Sequence, residues 1–288
     1  MSADFLNFAR QHGLIIERLN CDGQIHRVST EDKPRGNNGS YMWDGDGFGW
    51  VQNWATSDSP VHFKSTKTRS PEELQRSIQV RKRLIDRQRD EVRNKQKAAK
   101  IKAQSILAKS PIGHSEYLHN KGLKGFSSHI MYECHNTEDV QVTLVPMYYR
   151  DEIVGVQRIY PKYFNPSKKF LFGQRTKGCY HKIGNGSRVY VVEGYATGLS
   201  LSQCLNKIDR NYSIYVAFSA NNMLNIVKHV DNRIFVCDND SSETGERVGK
   251  QSGCRYFIPP DIDSDFNDFY RDNEFKALMT FKRFLMEK

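Results

Sequence analysis

Four short apolar runs punctuate the last third of the chain: Arg188-Val-Tyr-Val-Val192, Ser213-Ile-Tyr-Val-Ala-Phe218, Arg233-Ile-Phe-Val-Cys237 and Arg255-Tyr-Phe-Ile258. They are β-branched or aromatic and near-continuously apolar, as in strands buried on both faces of a parallel sheet. Helical stretches separate them, Thr197 to Leu205, Asn222 to Lys228 and a glycine-punctured Glu243 to Gly253. The succession predicts an α/β fold with a parallel sheet. The first and third runs lead directly into acids, Glu193-Gly194 and Asp238-Asn239-Asp240. The fourth is stopped by Pro259-Pro260 and leads to Asp265-Phe-Asn-Asp268. The carboxyl ends of strands are where open α/β sheets place their chemistry.

Upstream the pattern changes. Val140 to Tyr149, a turn at Arg150-Asp-Glu152, and Ile153 to Ile159 read as a β-hairpin, and Gly122 stops a helix through Tyr117 to Leu123. Before that, Ser70-Pro71-Glu72-Glu73 is a capping signature for a helix that can run to Lys109, ended by Ser110-Pro111. Its apolar stripe is thin: Leu74, Ile78, Ile85, Val92, Ala99 and Ile106, the last five spaced by seven. The remainder is dominated by cations, among them Arg81, Lys82, Arg83, Arg87, Arg89, Arg93, Lys95, Lys97, Lys100 and Lys102. Spacer helices usually balance their signs, so this excess suits a phosphate backbone. The first 66 residues read as a small α+β unit: a helix from Asp4 to Gln11, then Tyr41-Met-Trp43 and Phe48 to Trp54 joined by Asp44-Gly-Asp46-Gly47. No glutamate follows at the position a calcium loop requires. Aromatics there, interleaved with Lys33, Arg35 and Lys64, either stack on a single strand or form the core of a small domain.

The expected organisation is therefore 1–66, a basic helical linker 67–110, a basic α+β segment 111–187, and the parallel-sheet domain 188–288. Composition narrows the partners. The 288 residues carry 43 Lys and Arg against 33 Asp and Glu, a net charge of +10. That favours densely anionic ligands. No run is long enough to span a membrane, Met1 to Gly13 lacks a signal-peptide layout, and the six cysteines are scattered singly, so a cytoplasmic chain without structural zinc is expected. His114, His119, His129, Cys134 and His135 are near one another but fit no regular ligand spacing.

The acids suit divalent cations. Asp238 and Asp240, two apart on extended backbone, point the same way, and Glu193 would arrive from a neighbouring strand to hold an ion or serve as base. Magnesium (or manganese) needs only one or two carboxylates plus water and phosphate oxygens. Asp265 and Asp268 are candidates for completing the site. A cation cluster precedes it, with Arg158, Lys168, Lys169, Arg175, Lys177 and Lys182 placed to hold triphosphate and template.

Taken together, Val192-Glu193-Gly194, Asp238-Asn239-Asp240 and Asp265-Phe-Asn-Asp268 resemble the Toprim domain of bacterial primases and topoisomerases, most of all that of phage and plasmid primases. Leu144-Val-Pro-Met147, Gly155-Val-Gln-Arg158, Lys169-Phe-Leu-Phe-Gly173 and His181-Lys-Ile-Gly184 are similar to the basic segment preceding it. Ile25-His26-Arg27, Lys33-Pro34-Arg35-Gly36 and Trp50-Val-Gln-Asn-Trp54 are similar to the amino-terminal part of such proteins. The resemblance implies a primase of a mobile element in a bacterial host, making RNA primers on single-stranded DNA from nucleoside triphosphates. It implies Glu193, Asp238, Asp240 and Asp268 as the magnesium set, Asp268 matching the family position better than Asp265. No Gly-x-x-x-x-Gly-Lys-Ser/Thr loop is present, so a replicative helicase would be a separate partner. The alternatives are a non-catalytic nucleic-acid-binding accessory and a Toprim nuclease. A topoisomerase would need large additional domains.

Overall fold

The computed structural model describes residues 2–57, 59–64 and 71–287. It is a mixed α/β protein in two compact units, Met1–Val92 and Arg93–Lys288, the division falling inside one long helix. In the first unit, helix α1 (Ser2–Gln11) covers an antiparallel meander of β1 (Leu14–Ile15), β2 (Ile25–Thr30), β3 (Gly39–Trp43), β4 (Phe48–Asn53) and β5 (Val61–Lys64). The two-residue period of the strands puts Tyr41, Trp43 and Val51 on the helix side, where Phe5 stacks on Trp43 at 4.5 Å. Trp43 is thus core. Trp54 is half exposed, with the Arg27 guanidinium 4.7 Å from its ring. Asp44 organises the β3–β4 turn by accepting from the backbone of Asp46 and Phe48.

Helix α2 runs from Pro71 to Lys109. Ser70, its expected cap, and the side chains of Leu74 and Arg81 lie outside the described residues. The apolar stripe is packed only towards its end. Ile78 and Val92 are about half exposed, whereas Ala99 is buried with Ala103 and Leu107, and Ile106 packs partly buried against them. An α-helix turns every 3.6 residues, so a strict repeat of seven drifts around the cylinder by roughly 20° per heptad. The contact face is set locally by what each half meets.

In the second unit that half packs on an antiparallel sheet of order β10-β9-β8-β7-β6. These strands are β6 (Ile112–His114), β7 (Ser127–His135), β8 (Glu138–Tyr149), β9 (Glu152–Ile159) and β10 (Lys168–Phe170), and helix α3 (Glu116–Asn120) links β6 to β7. Hairpin β8–β9 forms as expected, Arg150 and Asp151 both taking positive φ at its turn. Strand β7 was not expected from sequence.

The last sheet has order β11-β13-β12-β14-β15. Strands β12 (Arg188–Val192), β13 (Tyr212–Val216), β14 (Ile234–Val236) and β15 (Tyr256–Phe257) are parallel, and β11 (His181–Ile183) adds an antiparallel edge. Helices α4 (Tyr195–Ile208), α5 (Ala220–Met223) and α6 (Thr244–Gln251) follow successive strands, and α7 (Phe266–Asp272) and α8 (Glu274–Met286) close the unit. All four apolar runs are therefore strands, while the helix expected over Asn222 to Lys228 shortens to one turn. The largest core joins both sheets: Val145 and Ile159 pack in the same cluster as Tyr190, Val192, Ile214 and Phe281. Among the described residues no helix is long and apolar enough to cross a membrane.

Candidate active site

Parallel pairing decides which acids meet. Val192 of β12 is in register with Val236 of β14, so Glu193 and Asp238 leave the same edge of the sheet one and two residues later. Glu193 is fixed from the other side, its carbonyl accepting from Phe218 N–H at 2.9 Å. Asp238 is fixed through its neighbour: Asn239 donates its backbone N–H to the Ser264 carbonyl at 2.9 Å and its side-chain amide to the Pro259 carbonyl at 2.9 Å. The 259–264 segment is thereby stitched to β14 and delivers Asp265. Gly245, in the first turn of α6, sits so close that a Cβ there would lie 2.0 Å from the Asp238 carbonyl oxygen. The glycine that punctures this helix keeps the Asp238 backbone in place.

Glu193, Asp238 and Asp265 line one cavity of about 580 Å³, whose opposite wall comes from α3 with its C-cap (Tyr117, Lys121), the β9–β10 connection (Tyr160, Lys162, Tyr163) and β10 (Lys168). The amino end of α4, at Gly194, Ala196 and Thr197, opens into it as well. Crowding of carboxylates in partly dehydrated surroundings disfavours ionisation. Burial, then the charges of Glu193 and Asp265, pushes Asp238 up to about 7, and Lys168 acts in the opposite direction. Glu193 is also raised, by burial first, with Lys168 again opposing and Asp240 and Asp265 adding to the rise. Asp238 Oδ1 is buried without a hydrogen-bond partner. Such an oxygen is costly to leave unsatisfied.

The other two expected ligands are engaged elsewhere. Asp240 does not line the cavity; its Oδ1 accepts from the Ser242 hydroxyl and from Thr244 N–H, holding the turn into α6, and these bonds lower its pKa. Asp268 pairs with Arg271 at 3.1 Å and Lys121 at 3.7 Å. Asp265 caps α7 through Oδ1, which accepts from Asp268 N–H, and its Oδ2 lies 3.8 Å from Lys121. Among the described residues no three His, Cys, Asp or Glu side chains close on a common point. The histidine-rich segment does not gather at one point either: His114 and His119 meet edge-on at 5.4 Å, His129 is bonded to Ser110 and His135 lies beside Glu133.

The expected cations also divide. Lys168 faces the cavity, while Lys169, its neighbour on β10, points to the other side with its ammonium 4.7 Å from the Tyr160 ring. Arg158 faces Glu133 at 3.4 Å, and Glu133 also accepts from the Tyr160 hydroxyl at 2.8 Å. Arg175 lies over the Tyr149 ring at 3.6 Å and Lys182 over Tyr215 at 5.9 Å, on the β11 side, and Lys177 is exposed beside a separate cavity near Phe218. Lys121, Tyr160 and Thr197 are cavity residues that sequence reading missed. Lys121 precedes a helix-stopping glycine and carries no motif of its own.

A divalent cation fits this donor set. The orphaned Asp238 oxygen and the raised pKa values of Glu193 and Asp238, which burial causes first and Lys168 only partly offsets, leave a place for a counter-charge, and a cation with several water or phosphate ligands needs only one or two carboxylates.

No protein-family model and no curated protein matches this sequence. Solved structures align at low similarity. A DNA primase domain from Pseudomonas aeruginosa aligns at 13% identity over 59% of this chain, with a TM-score of 0.34; the chain spans only 60% of that domain's length. A structure of bacteriophage T7 lagging-strand DNA polymerase interacting with the primase domains of two gp4 subunits, bound to an RNA/DNA hybrid and dTTP, aligns at 10% identity, covering 58% of this chain and 86% of the matched one, TM-score 0.37. The E. coli primase catalytic core aligns at 15% identity over 66% and 73% of the two chains, TM-score 0.34. Likeness this distant carries no functional argument.

Proposed function

We propose that this chain is a primase with a Toprim-type carboxyl-terminal domain, of the kind found in phage and plasmid replication. It would join ribonucleotides on a single-stranded DNA template. The observation that carries the reading is the facing of two walls: the carboxylates Glu193 and Asp238, beyond strand ends, and Asp265, the cap of α7, on one side, Lys168 and the tyrosines of α3 and the β9–β10 connection on the other.

In this reading Glu193 and Asp238 hold magnesium, with Asp265 beside them. Bound magnesium would supply positive charge to the phosphate oxygens of the incoming nucleotide. Lys168 offsets the acids before substrate arrives and pairs with triphosphate afterwards. Tyr163, 75% exposed, offers a ring face to a base, and the first-turn amides of α4 offer hydrogen bonds to anionic oxygen. The primer hydroxyl oxygen bonds to the α-phosphorus as pyrophosphate departs, and the hydroxyl proton passes to solvent water. The cationic face of α2 would run along template phosphates.

The test is synthesis from labelled ribonucleotides on circular single-stranded DNA with magnesium. Wild type should yield short RNA and Asp238→Ala should not. Equal product from both, or none from wild type, contradicts the proposal. A second reading, a DNA-binding accessory without catalysis, is favoured by the engagement of Asp240 and Asp268 in structural bonds. It predicts template binding that Asp238→Ala leaves intact, with no product from either protein. A nuclease would nick labelled DNA without added nucleotides.

A further inference from the structure

A second cavity, of about 510 Å³, lies on the other side of Lys121 and shares that residue alone with the acid cavity. Two helical faces form it. On α4 and just beyond, Gln203, Asn206, Lys207 and Arg210 recur at three- and four-residue spacing; on α7 and the start of α8, Asn267, Tyr270, Arg271 and Glu274 do the same. Side chains at that spacing share one face of a helix, and where two helices meet it is normally apolar. Here it is amide and cation. Lys121, Lys207, Arg210 and Arg271 line the cavity against one acid, Glu274.

The cations are incompletely neutralised. Lys207 pairs with Glu274, while Arg271 and Lys121 draw on Asp268 and on acids that do not line this cavity. Arg210 has no carboxylate partner among the described residues; its Nε reaches only the Asn206 carbonyl at 3.4 Å. In the floor, Asn267 donates to the Lys121 carbonyl and the Ser200 hydroxyl, which fixes its orientation and leaves its Oδ1 buried without a donor. Convergent cations with the Gln203 amide beside them match the oxygens of phosphate groups, which accept several charge-assisted hydrogen bonds at once; Asn267, both of its N–H groups spent, adds no donor.

We infer that this cavity between α4 and α7 is a phosphate-binding site distinct from the acid cavity. Its ligand is either a free phosphoanion or the backbone of a nucleic-acid strand. The inference stands apart from the primase reading, because binding is measured without metal, template or turnover.

The experiment is isothermal titration of the full chain with sodium pyrophosphate in EDTA. Wild type should show saturable one-site binding, weakened at least about tenfold by Arg210→Ala and by Gln203→Ala. Both positions lie at the cavity wall rather than in the hydrophobic core, and circular dichroism would verify folding. Lys162→Ala, in the acid cavity, should leave binding intact. Competition by unphosphorylated oligothymidylate, itself sensitive to Arg210→Ala, would identify a strand as the ligand; absence of competition would identify the free anion. No saturable binding, or binding indifferent to Arg210→Ala and abolished by Lys162→Ala, overturns the inference.

Discussion

Val192 and Val236 are paired in register on adjacent parallel strands, and the pairing carries Glu193 and Asp238 off the same sheet edge into one cavity. Glu193 then acts on Asp238: its charge is the largest contribution after burial to the elevation of Asp238. Glu193→Gln removes one of the two charges that would hold the cation while leaving the side chain's shape. Primer synthesis should fall by about 10²- to 10⁴-fold, with nucleotide KM changed much less than kcat. A fall confined to KM would assign Glu193 to binding instead.

Gly245 tests the site without touching an acid. Its missing Cβ leaves room for the Asp238 carbonyl, so Gly245→Ala must displace either α6 or the strand end. The expected cost is about 1–3 kcal/mol of stability together with loss of primer synthesis. Gly125→Ala, where a Cβ would meet nothing within 4 Å, is the control and should be neutral in both. Denaturant melts of the two variants decide it.

The packed face of α2 can be checked by truncation. Leu107 is 6% exposed against the antiparallel sheet, and Leu107→Ala should destabilise by roughly 2–5 kcal/mol. Val92 is 53% exposed, and Val92→Ala should cost no more than about 0.5 kcal/mol. Equal costs would mean that the helix is packed as firmly at Val92 as at Leu107.

His181 supplies a pH dependence. Burial lowers its pKa from 6.5 to about 4, opposed by a hydrogen bond with the Pro146 carbonyl at 3.1 Å, and the ring meets Tyr195 edge-on. Its folded pKa lies below the unfolded one, so its contribution is present above pH 6.5 and is lost as pH falls towards 4. The full loss is up to about 3 kcal/mol. Urea titrations at pH 7 and 4.5 should therefore show a smaller acid loss in His181→Gln than in wild type. An identical loss would mean the ring is protonated in the fold.

Much of this architecture is written in local pattern. The four strands of the last sheet and hairpin β8–β9 are legible because burial on both faces, or a tight turn, leaves a strong compositional mark. Strand β7 is not: its Ser-Ser-His-Ile-Met-Tyr-Glu-Cys-His run is half polar, and pairing with β8 makes it a strand. The acids show the same split. Glu193 and Asp238 could be placed from strand ends, but Asp240 and Asp265 could not be told apart from their neighbours, since hydroxyls and amides two to four residues away decide where each carboxylate turns. Lys121 and Asn239 act through contacts with segments far along the chain, which no local spacing encodes.

The claim beneath all of this is that Glu193 and Asp238 form a cation-holding pair. Titration of the protein with Mn²⁺, followed by the electron paramagnetic resonance signal of the free ion, measures it directly. Wild type should bind the ion, Asp238→Asn and Glu193→Gln should each weaken binding by more than about tenfold, and Asp268→Asn, whose carboxylate pairs with Arg271 and Lys121, should change it little. Affinity in Asp238→Asn equal to wild type would contradict the account.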